Sequence, residues 1–163
     1  MIFVTVGTHE QQFNRLVKKV DELKGEGLIK EDVLIQTGYT TYEPKSCDWK
    51  QWIPYQDMIQ YVKKAHIVIT HGGPSSFIMP LQFGKIPIVV PRRLEYNEHV
   101  NNHQVDFTKK MASQMKDIIL IEDVEELGAT ILNYDLDIIK VSSELNSNNK
   151  LFNIHLQNIL HKM

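Results

Sequence analysis

Ile67-Val68-Ile69-Thr70-His71-Gly72-Gly73-Pro74-Ser75-Ser76 is the stretch on which the fold turns. A short apolar run ends in a glycine pair, followed by a proline and two serines. The run predicts a strand, His71 to Ser76 its exit loop, and a helix over about Ser75 to Phe83. Pro74 suits the first turn of that helix, Ser75 or Ser76 can cap it, and Gly84 relieves the backbone near its C-terminus.

Working outward, the same unit recurs on both sides. Ile2 to Val6 predicts a strand, Gly7-Thr8-His9-Glu10 a turn at a helix start, and Phe13, Leu16, Val17, Val20 and Leu23 one face of that helix. Asp32 to Thr37 predicts a strand ended by Gly38. After a loop over Tyr39 to Asp48, Asp48 to Ile53 predicts a short strand stopped by Pro54. Tyr55, Met58, Ile59 and Val62 mark an amphipathic helix. Beyond the central unit come a strand at Ile86 to Val90, a polar loop from Pro91 to Glu98 and a helix from about Val100 to Lys116. A strand at Ile118 to Ile121 and a helix opened by Asp123 follow. The alternation predicts an α/β fold, a Rossmann-like parallel sheet with helices on both faces. Past Tyr134 the pattern weakens. Asn146-Ser147-Asn148-Asn149 reads as a polar hinge, and Phe152, Leu156, Ile159, Leu160 and Met163 line one side of a terminal helix. The expected division is a domain over residues 1–145 and a detachable element over residues 146–163.

At 163 residues the chain has the size of one domain, and its net charge of −2 argues against a nucleic-acid surface. A single cysteine, Cys47, excludes an intramolecular disulfide and suits a reducing compartment, as a packed or surface thiol rather than a reactive one. No apolar run approaches the ~20 residues of a membrane span. The N-terminus reads as a strand rather than a leader. The expected location is cytoplasmic, with membrane association only through a partner.

Ligands of open α/β sheets bind beyond the carboxyl ends of the strands. Three unusual loops fall there: Thr5-Val6-Gly7-Thr8, Thr70 to Ser76, and Pro91-Arg92-Arg93. Glycines admit a ligand close to the backbone, and a helix start offers unpaired N–H donors. Gly72, Gly73, Ser75 and Ser76 therefore read either as a diphosphate site or as an ordinary tight turn. His71 can donate to a ligand or tie the loop to its neighbour. Glu10 can be a general base or a carboxylate set against a helix dipole. The run Glu95-Tyr96-Asn97-Glu98-His99-Val100-Asn101-Asn102-His103-Gln104 has the side chains that bind sugar hydroxyls, or is a solvated loop and cap. Metal readings are weaker. Asp135-Leu136-Asp137 has the spacing of a metal–diphosphate site, and His99 with His103 that of two ligands on a helix, without an obvious third. Neither metal nor cofactor is expected.

Taken in order, five segments resemble the C-terminal half of family 28 glycosyltransferases of the GT-B class. They are Phe3 to Thr8, Trp52 to Met58, Thr70 to Ser75, Gly84 to Arg92 and Glu98 to Gln104, within about Ile2 to Leu132. The pattern is most similar to stand-alone subunits of two-component enzymes. These are the dolichol-pathway GlcNAc transferase subunit and, closer, bacterial capsule and exopolysaccharide subunits of the β-1,4-galactosyltransferase type. The resemblance implies a donor-binding half-enzyme. Gly7, Thr8 and the His71–Ser76 loop would hold the diphosphate of a UDP-sugar. Backbone near Ile53 would meet the uracil, and Asn102, His103 and Gln104 the donor sugar, with Arg92, Glu98 and His99 nearby. Many members bind ribose through a glutamate where this chain has Met79. The implied reaction is inverting transfer of a hexose, galactose favoured, to a lipid-linked saccharide. Glu10 and His71 would be the catalytic candidates, and a membrane-anchored partner would supply the other half. The alternative is a non-catalytic nucleotide-sugar-binding or enhancer subunit. The terminal helix is expected either to dock that partner or to pack on its own domain.

Overall fold

Ile2–Thr5 forms β1, all four residues buried, in the middle of a six-stranded sheet. The structure, a computed structural model, describes residues 1–145 and 157–162. The other strands are β2 (Val33–Gln36), β3 (Asp48–Lys50), β4 (Ile67–His71), β5 (Ile88–Val90) and β6 (Ile119–Leu120). Every pairing is parallel, and the order is β3-β2-β1-β4-β5-β6. The chain steps outward from β1 through β2 to β3, then returns to β4 on the other side of β1. The order therefore reverses between β1 and β4, where this class of sheet opens a crevice.

Successive side chains of a strand point to opposite faces, so the apolar runs bury both. On one face Ile2, Val4, Ile67, Ile69 and Ile88 pack against Leu16, Val17 and Val20 of α1 (Asn14–Gly25) and Leu127 and Ile131 of α5 (Leu127–Leu132). On the other, Phe3 and Val68 meet Val62 of α2 (Tyr55–Lys64) and Met79 of α3 (Pro74–Gln82). Val89 packs there on Phe77, Ile78 and Leu81 of α3 and on Met111 of α4 (His103–Gln114). Burying each such side chain contributes roughly 1.5–3 kcal/mol. The fold is the expected Rossmann-like α/β sheet with helices on both faces.

Several boundaries differ from expectation by a few residues, and three places matter most. First, α1 begins only at Asn14, so Gly7-Thr8-His9-Glu10 lies in a loop and not at a helix start. Second, β3 is shorter than Asp48 to Ile53 and fully exposed, as an edge strand is. Third, the chain beyond Tyr134 is helical: α6 spans Tyr134–Leu145. Its apolar pattern is blurred because Leu136 and Ile139 face outward, while Ile138 and the buried Tyr134 face the core. The expected hinge at Asn146 to Asn149, with Phe152, Leu156 and Met163, lies outside the described residues. Residues 157–162 are helical, and Ile159 packs into the cluster of α3 and α4.

The loop between β2 and β3 is anchored by Asp21 of α1, which is 3% exposed. Its carboxylate accepts from Tyr42 Oη at 2.7 Å and from the amides of Lys45, Ser46 and Cys47. Burial pushes this carboxyl up, but those donors outweigh it and hold it below the usual range. Beside it Cys47 is buried, and desolvation together with Asp21 pushes its thiol up to about 12.

Candidate functional site

Parallel pairing sets Thr5 of β1 against Thr70 of β4. The chain thus leaves the two strands side by side, through Val6-Gly7 and His71-Gly72, where the order reverses. Gly7 has φ +75°, and a Cβ there would sit 2.2 Å from Nε2 of His71. A Cβ on Gly73 would sit 2.2 Å from Cε1 of the same ring. The imidazole is enclosed between two glycine backbones from different junctions, so both positions require glycine for closeness of approach. The two junctions converge.

His71 is neutral and its tautomer is fixed by its partners. The Gly73 amide donates to Nδ1 at 3.0 Å, so the ring proton is on Nε2, which donates to Ser76 Oγ at 2.8 Å. Burial, reinforced by the charge of Arg92, pushes the imidazole down to about 3. Ser76, having accepted, keeps its own hydroxyl proton to donate. Gln104 joins the exits of β4 and β5, since Oε1 accepts from both Gly72 N and Arg92 N at 3.1 Å. The amides of Gly72 and Gly73 are thus engaged inside the loop, and that of Gly7 donates to Thr5 Oγ1 at 3.2 Å. These glycines shape the junctions. Donors toward a ligand come from the first turn of α3, which has no side-chain cap and carries Ser75 and Ser76.

Two clefts flank this hub. One, of about 590 Å³, is lined by Gly7, Thr8, His9, His71, Ser75 and Ser76 on one side. Its other wall is Ile53, Tyr55, Met58, Val62, Met79 and Gln82, with Leu160 of the C-terminal segment at the rim. The other cleft, of about 580 Å³, is lined by Gly72, Gly73, Pro74, His99, His103, Gln104, Asp106, Phe107 and Lys110. Most expected residues therefore stand on one cleft or the other.

Arg92 and Glu98 do not, and their reading as ligand contacts is corrected. Arg92 is 0% exposed. Its guanidinium donates to the carbonyls of Val6 at 2.6 Å, Gln11 at 2.8 Å, Glu98 at 3.1 Å and Gln12 at 3.2 Å. Desolvation lowers it to about 10, which leaves it charged at neutral pH. It ties the β1 exit loop to the loop after β5. Glu98, 1% exposed, accepts Arg15 through both oxygens at 2.8 and 3.0 Å and the amide of Arg93 at 3.0 Å. A buried charge needs compensation: Glu98 has it in the Arg15 ion pair, and Arg92 in the four carbonyls its terminal nitrogens reach, with its Nε left without a partner. Asn102, half-buried, lines neither cleft and accepts from Leu94 N at 2.9 Å.

Glu10 is exposed and lines neither cleft. Asp135 lies at the opposite end of the sheet, 2.6 Å from Nε2 of His66, which precedes β4, so it cannot meet a diphosphate at the carboxyl ends. His99 stacks on His9 with centroids 4.3 Å apart, while His103 opens α4. Among the cleft residues that escaped the sequence reading as ligand contacts are His9, Tyr55 and Gln82. Gln82 was discoverable, one turn after Met79 on the helix that opens at the loop. His9 was not, because its significance rests on a residue remote in the chain.

Residues 1–155 match the glycosyltransferase family 28 C-terminal domain. No curated protein matches the chain.

Proposed function

Because the chain belongs to glycosyltransferase family 28, we propose that it is the donor half of a UDP-sugar-dependent hexosyltransferase. The observation that carries this reading is the closure of Gly7 and Gly73 on one neutral imidazole between two clefts. A UDP-sugar needs an apolar slot for its base, donors for its diphosphate and a polar pocket for its hexose. Ile53, Met58, Val62 and Met79 line the slot, with Tyr55 at its mouth. The diphosphate lies over Ser75 and Ser76, where the helix terminus and the His71–Ser76 hydrogen bond offset charge on the leaving UDP. The hexose enters the second cleft, against His99 and His103. Met79 has no carboxylate for ribose. Gln82, exposed at the rim one turn later, takes the ribose hydroxyls.

Transfer is read as inverting, with galactose the favoured hexose and a lipid-linked saccharide of capsule or exopolysaccharide synthesis the acceptor. A membrane-anchored partner bringing that acceptor completes the site. None of the described helices is long and apolar enough to cross a membrane, which is compatible with such a division of labour. Calorimetry with UDP, beside a thermal-shift panel of UDP-galactose, UDP-glucose, UDP-GlcNAc and UDP-glucuronate, tests the reading. Wild-type chain binds UDP and is stabilised most by its donor, and His71→Ala loses both effects. No heat with UDP or any of the four sugars refutes it.

A further inference from the structure

Donor binding leaves His9 without a task. The residue lines the nucleotide cleft, and its ring lies face to face with His99, which lines the other. The centroids are 4.3 Å apart and the planes 5° from parallel, so the pair spans the ridge between the clefts. That ridge is where a bound UDP-sugar would carry its anomeric carbon. The loop is held there by Arg92, which binds the carbonyls of Gln11 and Gln12. Nε2 of His9 lies 2.8 Å from Oε1 of Gln11, and a carbonyl oxygen only accepts, so Nε2 carries the proton. In the neutral ring Nδ1 is then a bare lone pair. The charged and titratable groups around the pair are Arg92 and His103 on the His99 side and the neutral His71 below. The adjacent Glu10 is exposed. Burial, then His9, Arg92 and His103, hold His99 below the usual imidazole range.

We propose that His9 is the general base of transfer and that His99 holds its ring in place; this rests on the UDP-sugar reading above. Nδ1 of His9 takes the proton of the acceptor hydroxyl as that oxygen bonds to the anomeric carbon. The bond from that carbon to the β-phosphate oxygen breaks, its electron pair leaving on UDP. The imidazolium returns its proton to solvent. No oxidant or reductant is involved.

The rival role for the same ring is a cation that grips the diphosphate, and the two respond oppositely to UDP. The test uses the full chain with ¹⁵N-labelled histidine, followed by imidazole NMR with and without UDP. It adds release of UDP from UDP-galactose by the chain assembled with its membrane-anchored partner, with octyl glucoside as the hydroxyl probe. The expected result is a His9 ring protonated at Nε2 only, unchanged on UDP binding. His9→Gln then binds UDP within twofold of wild type and loses at least a hundredfold in release, within the range for general bases. The acid limb of the pH–rate profile disappears with it. His99→Phe, which keeps a stacked ring, retains that limb. Conversion of His9 to imidazolium by UDP, or tenfold weaker UDP binding in His9→Gln, overturns the proposal in favour of a phosphate contact. Normal binding with unaltered UDP release in His9→Gln overturns it alone. Failure of the wild type to bind UDP removes the donor reading and this proposal with it.

Discussion

Replacing Gly7 with alanine imposes two penalties, and the fold supplies a control for each. The first is conformational: with φ at +75°, any side chain sits in the left-handed region, at about 1–2 kcal/mol. The second is steric, because the new Cβ falls 2.2 Å from Nε2 of His71. The ring cannot retreat without stretching its bonds to Gly73 N and Ser76 Oγ, each contributing about 1 kcal/mol and leaving a buried group unpaired if lost. Together these give about 3–5 kcal/mol for Gly7→Ala. Gly27 has φ +79° with nothing within 4 Å of its Cβ, so Gly27→Ala carries the conformational term alone, about 1–2 kcal/mol. Gly73 has an ordinary φ of −70° and a Cβ 2.2 Å from Cε1 of His71, so Gly73→Ala carries only the steric term. Urea denaturation gives the three stabilities and calorimetry the UDP affinities. Gly7→Ala and Gly73→Ala should lose UDP binding while Gly27→Ala keeps it. If Gly7→Ala matches Gly27→Ala within about 0.5 kcal/mol and binds UDP normally, the ring is not held between the glycines and the convergence is refuted.

Other perturbations probe separate parts. Asp21→Asn should cost about 2–4 kcal/mol, since the weaker acceptor faces the same buried donors. The carboxyl of Asp21 lies below its unfolded value, so its contribution is present above that value and fades as pH falls through the folded one. Denaturation curves for wild type and variant should converge only as pH falls below the unfolded carboxyl value. His66 shows the opposite sign: the carboxylates of Asp135 and Glu31 raise it, so its stabilisation is complete below the unfolded value and lost as pH rises through the folded one. The ring is 42% exposed, so Asp135→Asn should cost below about 1 kcal/mol at pH 6 and less at pH 9, read by thermal melts. Gln82→Ala should weaken UDP roughly fivefold, one hydrogen bond's worth, and leave the melting temperature unchanged.

Much of the architecture was legible because a doubly covered parallel sheet writes its strands as short apolar runs, and the glycines at Gly7, Gly72 and Gly73 punctuate the junctions that matter. The meaning of the polar residues was not. Arg92 and Glu98 read as ligand contacts because a charged loop beyond a strand looks the same whether its charges face a substrate or backbone carbonyls. Only the fold shows Val6, Gln11, Gln12 and Glu98 presenting their oxygens to a single guanidinium. The same blindness hid the pairing of His9 with His99. It also made Gly72 and Gly73 look like amide donors when Gln104 and His71 had already claimed their N–H groups. For α6 the difficulty was different, since Leu136 and Ile139 put apolar side chains on the outer face and obscured the period.

The thiol of Cys47 is buried, and its neighbours suppress the thiolate. A thiol reagent therefore reacts only in molecules whose β2–β3 connection has swung away from Asp21. The rate of modification under native conditions measures how often that happens. With no second cysteine to compete, a mass spectrometer can clock the local breathing of one loop in the unlabelled natural chain, with and without nucleotide in the cleft.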